Sequence, residues 1–219
     1  MMHEPQAGAL AAVAALDEPT RRRLYEYVVR RPEPVSRDDV AAALSVPRAT
    51  VAFHLDRLVD ERLLAVGHER RTGRSGPGAG RPAKLYRRSD RQVSVSLPER
   101  QYELAGQLLA TAVEEAGETG DSAREILGRR ARERGAELAA GAPDILGALE
   151  EHGFEPRAEG GEVLLGNCPF HRLARTHPRL VCEMNLGLVE GMLAGTGEDG
   201  LRARLDPHPG FCCVRLAPG

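Results

Sequence analysis

Lysine is almost missing from this sequence. Of 30 basic residues only Lys84 is a lysine, a bias to which we attach no function. Long hydrophobic runs are missing too: the longest, residues 7–16, is about half of the ~20 residues a bilayer span requires, and no Lys or Arg precedes it as a secretory leader demands. Neither a membrane-spanning nor an exported chain is expected, and the expected location is the cytoplasm. Cysteine is scarce as well. Four in 219 residues do not make a disulfide framework, and a reducing compartment directs attention to thiol or metal chemistry.

What is present fits a folded protein. The length suits one large or two small domains with a real core. An apolar content of 42% with 28% charged residues argues against global disorder. The charge is unevenly spread. Residues 70–91 carry eight basic side chains (Arg70, Arg71, Arg74, Arg81, Lys84, Arg87, Arg88, Arg91) and one acid, Asp90, a local +7; since the whole chain is at −2, the remainder carries −9. A segregated basic stretch is the footprint expected for a polyanion, although standing alone it reads equally well as a solvated loop.

The stretch does not stand alone. Residues 7–16 read as a helix closed by Asp17-Glu18-Pro19, and Thr20 caps a second helix whose Leu24, Tyr27 and Val28 recur at i, i+3 and i+4. Pro32 and Pro34 end it. Ser36 is the N-cap, with Asp38 and Asp39 in the first turn, of a short helix through Leu44; Ser45-Val46-Pro47 then makes a tight connection. The next helix, 48–64, buries Val51, Leu55, Leu58 and Val59, turns Ala49, Thr50, Phe53 and Arg57 outward, and carries Arg48 and His54 at its flanks. Two helices around a tight turn form a helix-turn-helix, the second suited to a DNA major groove. Residues 63–66 and 84–87 read as strands flanking the Gly- and Arg-rich segment 70–82, a basic hairpin tip, or wing. Candidate DNA contacts are Arg48, Thr50, Phe53, His54, Arg57, Arg71, Arg74, Arg81 and Lys84, on a double-stranded operator.

Three stretches, Asp17-Glu18-Pro19-Thr20-Arg21-Arg22-Arg23-Leu24, then residues 46–58, then Gly80-Arg81-Pro82-Ala83-Lys84-Leu85-Tyr86, resemble the ArsR-type winged-helix transcriptional regulators. The resemblance covers about residues 5–90. It implies a recognition helix that reads DNA through Thr50, Phe53 and His54. The Cys-Val-Cys metal motif of the arsenic sensors is absent from that helix, so their sensing mechanism does not carry over.

The expected organisation is α+β: a winged helix-turn-helix at 1–92, a helical dimerisation linker at 93–141, and a small α+β effector domain at 142–219. Residues 93–96 extend the wing sheet or bridge to a helix starting near Pro98, where Leu97, Leu104, Leu108 and Thr111 or Ala112 suit a helix-helix seam. A second helix, capped at Asp121 or Ser122, follows to about Ala140. These helices suit either a homodimer interface or ordinary packing within the domain; winged-helix regulators commonly match two-fold operators, which favours the homodimer. Beyond them come a helix at 145–152, a hairpin at 154–158 and 162–165, and a helix at 178–194 with Cys182, Leu186, Val189 and Leu193 on one face. Strands at 201–205 and 211–216 complete the effector domain.

The effector domain holds all four cysteines. Cys168 precedes Pro169 at a reading-frame helix start, which favours a thiolate, and His171 lies three residues on. Cys182 sits on the inward helix face. In a strand at 211–216, Cys212 shares a face with Val214 and Leu216, and Cys213 shares the other with Phe211 and Arg215, which favours Cys212 as the inward thiol. Spacing alone gives a weak metal signal, because cysteine is often buried as a small hydrophobe. A catalytic alternative, Cys168 as nucleophile with His171 as base, lacks a carboxylate or oxyanion-hole signature, and no enzyme is expected.

Asn167-Cys168-Pro169-Phe170-His171, then residues 178–185 and a terminal Cys-bearing strand, resemble the effector domain of the SufR-type iron–sulfur transcriptional repressors. The resemblance implies a cluster held by Cys168, Cys182 and one of Cys212 or Cys213, with His171 and the doubled cysteine as departures from the simplest pattern. Three thiolates suit a [4Fe–4S] cluster, and Zn²⁺ is the chemical alternative.

Overall fold

The computed structural model describes residues 4–69 and 83–219, with side chains from residue 7 onward. Two compact units divide the chain, Met1–Val95 and Ser96–Gly219. The helices expected in a middle segment, 93–141, fall in the second unit.

The first unit runs α1 (Glu4–Ala15), α2 (Pro19–Val29), β1 (Val35–Ser36), α3 (Arg37–Leu44), α4 (Arg48–Asp60), β2 (Leu64–Glu69) and β3 (Ala83–Arg88). Its core is Leu24, Val28, Val40, Val51, Leu55, Leu58 and Tyr86, so each helix contributes its 3.6-period apolar face. Glu18, rather than Thr20, caps α2: its carboxylate accepts from the backbone N–H of Thr20 at 3.0 Å and of Arg21 at 2.6 Å, and Pro19 takes the first turn. Ser36 caps α3 in a full capping box with Asp39. The turn between α3 and α4 passes through Ser45 at φ 53°, a left-handed residue that closes α3. The helix read as reaching residue 64 stops at Asp60, because Arg62 takes φ 56° and redirects the chain into β2. All three strands pair antiparallel in the order β1-β3-β2, and residues 93–96 add no strand to them.

The second unit contains α5 (Tyr102–Thr119), α6 (Ala123–Ala139), α7 (Ile145–Glu151), β4 (Pro156–Glu159), β5 (Glu162–Leu165), α8 (His171–Thr176), α9 (Pro178–Thr196), β6 (Leu201–Leu205) and β7 (Val214–Pro218). Its antiparallel sheet has the order β4-β5-β7-β6, and its core includes Leu127, Phe154, Phe170, Met184 and Met192. α6 and α9 pack through backbone. A Cβ added at Gly191 would lie 2.0 Å from the Arg132 carbonyl oxygen, and one at Gly135 would lie 2.0 Å from that of Leu188. Only glycine permits such an approach.

Two sequence expectations need correcting in this unit. The helix expected from Pro98 starts at Tyr102, and Leu108 and Ala112, expected at an intermolecular seam, are buried inside the unit. The exposed residues of α5 include Gly106, Ala110, Val113 and Gly117 together with Glu103, Gln107, Thr111, Glu114 and Glu118. The strand expected at 211–216 starts only at Val214, which leaves Cys212 and Cys213 outside the ladder. Among the described residues no helix is long and apolar enough to cross a membrane.

Candidate nucleic-acid interface and thiol site

α4 presents its exposed face through Ala49 and Phe53, the latter 67% exposed, with Thr50 half-buried beside them. The charged candidates are paired. Arg48 Nε lies 2.6 Å from Asp38, Arg57 pairs with Glu61 one helical turn on, and Lys84 Nζ donates to Asp56 at 2.6 Å. Asp56 also accepts from the Tyr86 hydroxyl at 3.1 Å, so it fastens β3 onto α4. Burial first, and then the Asp56 charge, push the Tyr86 phenol up to about 12. Lys84 thus serves the attachment of the hairpin as well as local charge. Arg48 and Arg57 remain half-exposed and within reach of phosphate by rotamer exchange.

His54, expected among the DNA contacts, is buried. It sits 9% exposed on the inner side of α4, with Nε2 at 3.5 Å from the Glu18 carboxylate and Nδ1 without a hydrogen-bond partner. That takes it off the exposed face. Arg71, Arg74 and Arg81 lie outside the described residues. Two arginines of the Asp17 to Leu24 stretch act locally: Arg21 and Arg22 donate to the carbonyls of Ala15 and Leu16, closing the end of α1.

The thiols of the second unit converge. Cys168, in the loop before α8, and Cys212, in the loop before β7, are buried; Cys182 on α9 and Cys213 are half-buried. Cys168, Cys212, Cys213 and Cys182 stand near enough for their thiols to perturb one another. Strand alternation separates neighbouring residues only within a ladder, and Cys212 and Cys213 precede one; the backbone N–H of Cys212 instead donates to Leu165 at 2.8 Å. Asn185, fully buried on α9, donates Nδ2–H to Cys212 Sγ at 3.2 Å, while its Oδ1 has no partner.

Three of these thiols, Cys168, Cys182 and Cys212, are shifted upward. The hydrogen bond to Cys212 and burial push the Cys168 thiol far up, which corrects the expectation of a thiolate at a helix start; α8 begins only at His171. Contact with Cys168 pulls Cys212 down, but Cys213 and burial outweigh it and push Cys212 up to about 12. Burial raises Cys182. A buried, protonated thiol is the wrong state for a nucleophile, and the His171 side chain is exposed. Among the described residues no three His, Cys, Asp or Glu side chains stand ready-made around a metal position. The donor set nevertheless suits a soft metal: four sulfurs from three elements, with an amide N–H aimed at one of them.

Sequence reasoning missed Asn185, Asn167 and Arg100. The Arg100 guanidinium donates to the Asn167 side-chain oxygen and, at 3.3 Å, to the Cys168 carbonyl. Only the separation of 67 residues hid this pair.

Residues 16–67 match the helix-turn-helix domain family, which supports a DNA-binding transcription regulator. No curated protein and no solved structure matches the chain.

Proposed function

We propose that the protein is a dimeric winged-helix repressor whose affinity for its operator is set by an iron–sulfur cluster held by Cys168, Cys182, Cys212 and Cys213. The observation that carries this reading is the convergence of four thiols from three elements beside buried Asn185. The repressor role follows the resemblance to the SufR-type proteins. When bound, such a cluster supplies a group that changes charge by one-electron transfer, tuned by hydrogen bonds to its sulfurs. The protein supplies the thiolates, the Asn185 N–H and an apolar surround. Binding requires the ligating thiols to give up their protons.

On the DNA side, Phe53, Thr50 and Arg57 face base edges and backbone, and β2 with β3 carry the basic tip as a wing. Homodimerisation uses the outward face of α5, where Gly106, Ala110, Val113 and Gly117 recur at helical spacing. The test is anaerobic purification with a visible spectrum and iron and sulfide analysis. A brown protein containing both elements, which loses its colour in Cys168→Ser and Cys182→Ser, is expected. A colourless protein containing zinc instead supports the second reading, a four-thiolate Zn²⁺ site. Charge reversal of Arg71, Arg74 and Arg81 together is expected to weaken binding to all DNA sequences and flatten its salt dependence; an unchanged salt slope removes the wing from the interface.

A further inference from the structure

The first residues of the second unit, which follow the DNA-binding unit directly in the chain, are bonded to the loop that carries Cys168. Asn167, 7% exposed, is the hub. Its Nδ2 donates to the Gly153 carbonyl at 2.6 Å and to the Glu99 carbonyl at 3.1 Å, and its Oδ1 accepts from Arg100. Arg100 reaches on to the Cys168 carbonyl. The backbone N–H of Gln101 donates to the Pro169 carbonyl at 3.1 Å, and the Tyr102 hydroxyl accepts from the backbone N–H of Arg172 at 3.3 Å. Four consecutive residues, 99–102, therefore hold the segment on both sides of Cys168. Gly153 presses against the same arm: a Cβ there would lie 2.9 Å from the Glu99 Cβ.

From this arrangement we infer that residues 99–102 are the arm that reads the state of the thiol site, with Arg100 and Asn167 as positioning residues that pass a change at Cys168 to the chain entering the DNA-binding unit. The inference rests on the cluster reading given above. The direction follows from charge. Arg100 donates to the Cys168 carbonyl at 3.3 Å, so its guanidinium stands at the very residue that would carry the ligating sulfur. A guanidinium gains more beside a metal-bound thiolate than beside a neutral thiol, so loading the site tightens the arm. Linkage makes the effect reciprocal: an arm that prefers the loaded site also makes loading easier. The Asn167 amide, satisfied at both ends, fixes the direction of the Arg100 fork. Loss of the site would leave Arg100 with carbonyl and amide acceptors only, and the arm with weaker hold on the loop.

The experiment uses the full chain, anaerobically loaded with iron and sulfide and compared with its unloaded form. Wild type, Arg100→Gln and Arg100→Lys are measured for iron content, operator affinity in both forms, and hydrogen exchange of the peptide containing residues 97–102. In the wild type, loading is expected to slow exchange in that peptide and change operator affinity about tenfold or more. Arg100→Gln is expected to keep its iron while the loaded-to-unloaded affinity ratio falls to within about twofold of one. Arg100→Lys, which keeps the charge but not the fork, is expected to fall between them. Should Arg100→Gln fail to fold, Arg100→Lys alone decides. Normal iron uptake with an unchanged affinity ratio in the variants, or with no exchange difference in the wild type, overturns the arm and leaves the cluster reading standing. A wild type that takes up no iron overturns the cluster reading, and the arm with it.

Discussion

Phe53 is where residue chemistry and function meet most simply. A large apolar side chain 67% exposed on α4 contributes little to folding, and on the proposed DNA-binding reading it would pack against thymine methyls or sugar edges. Phe53→Ala is expected to lower operator affinity about tenfold while leaving the melting temperature unchanged, measured by fluorescence anisotropy and calorimetry. Glu18 works in the opposite sense. The Arg21 backbone N–H, then that of Thr20, hold its carboxyl below the usual carboxylate range. Its folded pKa is thus the lower one, so its stabilisation is present above the unfolded value and is lost as pH falls through the folded value. The melting-temperature gap between wild type and Glu18→Ala is accordingly expected to be widest near neutral pH and to close below about pH 4. A gap that stays constant down that series would show that the cap does not act through its charge. Ser36→Ala breaks the α3 capping box and is expected to cost about 1 kcal/mol in denaturant unfolding.

At the level of elements, what could be read from the sequence was what local periodicity encodes. Val51, Leu55 and Leu58 announce α4, and Ser36 with Asp38 and Asp39 announces the start of α3. The two-residue β1 has no periodicity to find, and α8, six residues long, was signalled only by Pro169, two residues before it begins at His171. The thiol site was legible as a set of cysteines but not as a geometry. Cys212 and Cys213 were assigned opposite faces on the assumption of a ladder that begins only at Val214. His54 shares the buried i, i+3, i+4, i+7 face of Val51, Leu55 and Leu58, so the periodicity of α4 itself turns it inward, where it meets Glu18. The α6 to α9 contact makes its own prediction. Gly191→Ala drives a methyl into the Arg132 carbonyl and is expected to destabilise the unit by about 1–3 kcal/mol. Gly128→Ala, with open space around its Cβ, is expected to stabilise by up to about 1 kcal/mol through helix propensity. Equal effects of the two in chemical unfolding would contradict the backbone-to-backbone contact.

The whole molecule poses the question of symmetry. If a two-fold operator is read by two copies, the seam would include exposed apolar helix surface, and Val113, 65% exposed between Ala110 and Gly117 on α5, is the side chain that offers it. Val113→Glu is expected to shift the protein from dimer to monomer in light scattering at micromolar concentration and to weaken operator binding with it. A dimer that survives the substitution moves the seam elsewhere.

The two units have separately assembled interiors. Every buried member of the first cluster lies at or before Tyr86, and every one of the second at or after Ala105. Such a chain can be cut or recombined at its middle without dismantling either interior. Cleavage between Val95 and Ser96 would part the helix-turn-helix unit from the thiol-bearing unit while leaving each interior whole. The same division lets a lineage exchange one half for another without redesigning either core.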